Sequence, residues 1–184
     1  AKAYEAGADL KGRDSGEALF RLGLVRLNHL KQYAVAAEHF KDFSAKYAND
    51  PKKADATFNE ALCYYHSYYG GEEKHLADAI RLFDRFAAAY NKHDLAEVAQ
   101  FYSGKLQHIR EDWAAAIKRF KPLEDSKNPA LDQLIFLLGD SYHQQSDWAN
   151  SAKYYMQFAV GNEKKLNADV ALHNAGVAFS NLKE

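Results

Sequence analysis

The sequence predicts an all-α fold of stacked helix hairpins, and three observations predict it. Apolar residues recur at helical spacing through nearly all 184 residues, with only three Pro to interrupt them. The phrase F-K-D-F-S-A-K-Y at 40–47 returns as F-D-R-F-A-A-A-Y at 83–90. The corner E-D-W-A at 111–114 returns as S-D-W-A at 146–149. Self-similarity at such intervals marks a repeat architecture, in which one unit cannot bury its apolar face alone and neighbours cover it.

The hairpins follow in order. Residues 1–15 form an Ala-rich stretch and a charged break, expected to be the tail of a preceding element, with Asp14 or Ser15 capping the next helix. The first hairpin spans about 16–49: Ala18, Leu19, Leu22, Val25 and Leu30 share a face, Lys31-Gln32 breaks it, and Ala36, Phe40, Phe43 and Tyr47 follow. Asn49-Asp50-Pro51 ends that helix, since proline cannot continue it. The second spans 52–91, with Gly70-Gly71 between its helices. The third spans 94–124, and Pro122 in its last turn predicts a short or kinked helix. The fourth spans 130–160, broken at Gln145–Asp147. After a polar linker at 162–167, residues 168–182 form a first helix with no partner, and the half repeat extends over 167–183.

Small residues recur in register. First helices carry Gly23, Ala61, Gly104, Gly139 and Gly176, spaced by 38, 43, 35 and 37 residues. Second helices carry Ala36, Ala79, Ala116 and Ser151, each followed four later by Phe40, Phe83, Phe120 and Tyr155. Helices approach closely only where a side chain is small, and the neighbouring rings fill the remaining space. This pattern resembles the tetratricopeptide repeat (TPR), a unit of about 34 residues. The resemblance covers residues 16–182 and implies a single domain, a right-handed superhelical solenoid of about four and a half repeats. Departures are an extra residue at the first corner, a longer second repeat, and Glu60 and Ser103 where the family has leucine. The phrase F-x-x-F-x-x-x-Y is similar to bacterial cell-envelope members, such as the Tol–Pal coordinator and the outer-membrane barrel-assembly lipoprotein. That likeness implies a periplasmic or outer-membrane-associated protein; a cytoplasmic one is the alternative.

In the family, first helices line the inner face. Three residues before each small position stand Phe20, Phe58, Phe101, Phe136 and His173. One residue after stand Leu24, Leu62, Lys105, Asp140 and Val177, and four after stand Leu27, Tyr65, His108, His143 and Ser180. The phenylalanines either form a ladder that anchors a peptide or pack inside their own hairpins. With only Lys105 basic among these positions, a clamp for a C-terminal carboxylate is not expected. His108 and His143 share a column with Asp140 nearby, but a metal needs three or four converging ligands, and none is expected here. Trp113 and Trp148 are expected to wedge adjacent repeats together. Charges at Lys52-Lys53, Glu72-Glu73-Lys74 and Glu163-Lys164-Lys165 are expected to be solvated ends.

Composition narrows function. Lys+Arg of 24 against Asp+Glu of 25 gives a net charge of -1, unlike a chain built to coat nucleic acid or an anionic membrane. No apolar run is long enough to span a membrane. The single Cys63 permits no internal disulfide. The start at Ala1 suggests a processed or trimmed piece. No phosphate-binding loop, H-E-x-x-H or nucleophile elbow appears, so no enzyme and no cofactor are expected. The expected function is a scaffold that binds a peptide or partner protein in the groove of first helices. The alternative is a structural module that self-associates through residues 168–182, whose apolar stripe needs cover.

Overall fold

The computed structural model describes residues 13–160 and 167–183, and among them no strand occurs. The first helices and their partners are α1 (Arg13–Asn28) with α2 (Tyr33–Lys46), and α3 (Lys53–Tyr69) with α4 (Leu76–Ala89). They continue with α5 (Ala96–Ile109) and α6 (Trp113–Phe120), α7 (Leu134–Gln144) and α8 (Trp148–Val160), and then α9 (Ala168–Asn181). The chain divides into two compact units, Ala1–Ala99 and Gln100–Glu184.

In the first unit, one core joins Leu19, Phe20 and Leu27 of α1 to Phe40 and Phe43 of α2 and to Ala56 and Cys63 of α3. Cys63 therefore faces the first hairpin, which leaves Ala61, on another side of α3, as the small residue of its own. Burial pushes the Cys63 thiol up to about 12, so it is an apolar filler with no thiolate at neutral pH. Ser15 is not a cap: it lies inside α1, where its hydroxyl meets that of Tyr47. The expectation for residues 1–12 lies outside the described residues.

In the second unit, Phe136 of α7, Tyr155 and Phe158 of α8, and Ala171 and Ala175 of α9 share a core. Pro122 has the expected effect: α6 ends at Phe120 and a 3-10 turn, Lys121–Leu123, completes it. Pro129 similarly opens a 3-10 turn, and α7 begins only at Leu134. The linker at 162–167 falls almost wholly outside the described residues.

The corners share one construction. Lys31, Glu111 and Ser146 take positive φ of 54°, 63° and 58°. Reversing the chain there lets the next amide reach back into the finished helix, as Asp112 N–H does to Gln107 O and Asp147 N–H to Tyr142 O, both at 3.0 Å. The two aspartates then cap the following helix by accepting from Ala115 N–H and Asn150 N–H, each at 3.2 Å. At the second corner Gly71, with φ of 99°, takes the reversed position.

The small columns work as close approaches. A Cβ on Gly23 would stand 2.8 Å from the Phe40 ring, one on Gly104 2.5 Å from Phe120, and one on Gly139 3.0 Å from Tyr155. Phe40, Phe83, Phe120 and Tyr155 are fully buried, each ring contributing about 1.5–3 kcal/mol of transfer energy.

Candidate functional site

The inner-face residues singled out in the sequence separate into two groups. Phe20 meets Phe40 and Phe43, Phe58 meets Phe83 and Phe86, and Phe101 meets Phe120. Phe136 stands edge-on to Tyr155 and Phe158. Of the two roles open to the column, hairpin core is the one these rings occupy; Phe101 is 3% exposed and has no face left for a guest. The reason is geometric. Each ring lies on the side of the first helix that carries its small residue, so it points toward the second helix. Tyr65 is drawn inward too, edge-on to Phe83, and Leu24 packs against the first core.

The polar residues form the second group, and the second unit brings most of them together. His108 Nε2 and Asp140 Oδ2 are 2.7 Å apart, linking α5 to α7. The Tyr155 hydroxyl donates to Asp140 Oδ1 at 2.9 Å and also bonds Asn174 of α9. The carboxylate thus ties three helices, and the Tyr155 hydroxyl extends the link to α9. Burial pushes the Asp140 carboxyl up, but the bonds from His108 and Tyr155 more than reverse this and hold it below the ordinary aspartate value. Burial and the nearby Asp140 charge push the Tyr155 hydroxyl up, so it stays a donor. Lys105, half-buried, reaches Gln133 at 3.5 Å, and His173 is exposed on α9. His143 stands at the cluster's edge: its Nδ1 lies 3.3 Å from Ser151 Oγ, its ring meets that of Tyr155 at 6.1 Å, and it adds to the pull that lowers the Asp140 carboxyl.

Each tryptophan stands edge-on to the histidine of its own hairpin, Trp113 to His108 with ring centroids 4.9 Å apart and Trp148 to His143 at 5.1 Å. These contacts lie within a repeat, where the sequence suggested a wedge between repeats. They fix the tilt of both imidazoles.

The histidine with a carboxylate, His108, has no hydroxyl or thiol hydrogen-bonded to it among the described residues. The one beside a serine, His143, has no carboxylate hydrogen-bonded to it among the described residues, and Ser151 is fully buried. The parts of a nucleophile relay are therefore divided between two centres. Among the described residues, no group of three or more His, Cys, Asp or Glu could hold a metal ion. No helix among them is long and apolar enough to cross a membrane.

Tyr155 and Asn174 were not singled out as site residues. Tyr155 was visible only as a ring in the packing column, and its hydroxyl acts at a distance that spacing does not reveal.

No family model and no curated protein matches the sequence. Solved structures do. A kinesin light chain-like protein of Podosopora anserina with nearly identical TPR-like repeats superposes with a TM-score of 0.64 at 13% identity, covering 95% of this chain and 90% of that one. A point variant of the same protein gives 0.62 at 13% identity, over 91% and 86%. The all-α, TPR-like repeat fold follows from these likenesses.

Proposed function

We propose that the chain is a non-enzymatic protein–protein interaction module, taking a peptide or partner protein on the first-helix side of its second unit. Lys105, His108, Asp140 and His173 are its polar contacts. The observation that carries this is the His108–Asp140 bond, which presents a fixed polar pair at the position where neighbouring first helices meet. Helical repeats offer extended surfaces of this kind. With the phenylalanines withdrawn into the hairpins, polar and charged side chains set the specificity. A random-peptide library selected on the immobilised chain tests it. Enriched peptides should lose about tenfold or more in affinity on Lys105→Glu with an unchanged melting temperature. No enrichment, or affinity indifferent to Lys105→Glu, refutes the proposal.

A second reading has its own observation. On α9, Val170, Leu172, Val177 and Phe179 are 42%, 53%, 37% and 47% exposed. These side chains flank the buried Ala171, Ala175 and Ala178 face of α9 on both sides, and they suit self-association. Sedimentation should then show mass growing with concentration, and Phe179→Asp should abolish the growth. A periplasmic or outer-membrane setting rests on the two F-x-x-F-x-x-x-Y phrases alone.

A further inference from the structure

Four cations converge on one groove in the first unit. The groove has a volume of about 600 Å³ and runs between α2 and α4 over α3. Lys41 comes from α2, Lys53 and Glu60 from α3, and Arg81 and Arg85 from α4. Arg81 pairs with Asp78 at 3.0 Å, but Lys41, Lys53 and Arg85 make no ion pair among the described residues. Glu60 is the only carboxylate in the lining. Burial pushes its carboxyl up, against the pull of Lys41, Arg81 and Arg85, so even this counter-charge is a reluctant one.

In a chain of net charge -1, such a concentration of one sign from three helices carries a repulsive cost that a bound anion would relieve. Apolar and amphipathic side chains, Leu82, Tyr64 and Tyr90, share the walls. Ser44 in the same wall has a buried hydroxyl with no hydrogen-bond partner.

We propose that this groove, on the side of the second helices, docks an acidic peptide segment in which carboxylates alternate with apolar residues. The carboxylates would meet Lys41, Lys53 and Arg85, and the apolar residues would meet the half-buried rings of Tyr64 and Tyr90. The site is separate from the first-helix surface of the second unit and does not depend on it. A protein segment fits better than a nucleic acid. A nucleic acid needs a continuous cationic track and free rings for its bases, whereas the floor here holds a carboxylate and Tyr64 already lies against His75 at 5.0 Å.

Lys53, expected from the sequence to be a solvated end, lines the groove. Lys52 beside it bonds Glu17 and lies over the Phe20 ring at 5.6 Å.

The test is fluorescence anisotropy on the full chain with a short labelled peptide rich in Glu and Leu. Saturable binding that weakens with added salt is expected. Lys41→Glu combined with Arg85→Glu, both at exposed positions, should weaken it about tenfold or more. Glu60→Gln, which removes the one repelling carboxylate, should tighten it. The proposal is overturned by absent saturable binding, by wild-type affinity in the charge-reversed protein, or by Glu60→Gln failing to tighten. Tighter binding of a single-stranded RNA oligonucleotide at the same residues overturns it as well.

Discussion

Gly104 and Gly176 hold the same place in two first helices, yet their surroundings differ completely. A methyl on Gly104 would stand 2.5 Å from the Phe120 ring and 3.0 Å from Arg119 Cβ, while one on Gly176 would meet nothing within 4 Å. In α5 the missing side chain is a packing requirement imposed by α6. In α9 the same residue faces open space, and glycine there only weakens the helix. A repeat position therefore gets its meaning from the neighbour that uses it.

The sharpest way to break this comparison is Phe120→Ala, which should cost about 3–5 kcal/mol by removing a fully buried ring. Gly104→Ala should cost about 1–3 kcal/mol in the native protein through overpacking. In the Phe120→Ala background the same change should cost less, because the ring clash is removed and only the 3.0 Å approach to Arg119 Cβ remains. Denaturant titration of the four proteins measures this coupling, and additive effects would show that the ring does not set the glycine.

Asp140→Asn should cost about 1–2 kcal/mol at neutral pH by weakening two charge-assisted bonds. The wild-type carboxyl titrates below the ordinary aspartate value. Its stabilisation is thus complete above that value and is lost as pH falls through the folded-state pKa. Melting temperature against pH should fall more steeply on the acid side in wild type than in Asp140→Asn. Parallel curves would remove Asp140 as the tie between the helices.

Gly176→Ala should act in the opposite direction from Gly104→Ala, stabilising by up to about 1 kcal/mol through helix propensity alone. A loss of stability would mean that something covers α9 in solution. The smallest effect is expected at the corners. Glu111→Gly relieves a φ of 63° and should gain about 0.5 kcal/mol, readable as a small rise in melting temperature.

Much of the fold was legible because it is written in short-range terms. Helical spacing, Pro122, Gly71 and the repeated aspartate-tryptophan corners act within a few residues, and they fall where the sequence puts them. The partnership of Gly104 with Phe120 was legible as well, because repetition shows the same small-and-large pairing more than once. Less of the site could be read. The sequence put His108 and His143 in one column with Asp140 a turn before His143, whereas the bond runs from Asp140 to His108. The phenylalanine column had two roles open to it. Helical spacing gives the side of a helix without saying what covers that side.

By itself, then, the sequence determined the hairpins, their corners and their small contact points, since backbone propensity and side-chain volume decide these locally. Tertiary structure alone decided which columns stay exposed, that Tyr155 completes the Asp140 cluster, and that Lys41, Arg81 and Arg85 from two neighbouring helices stand near Glu60. Burial and charge convergence depend on distances between residues far apart in the chain, and only the packing of one helix against the next sets those distances.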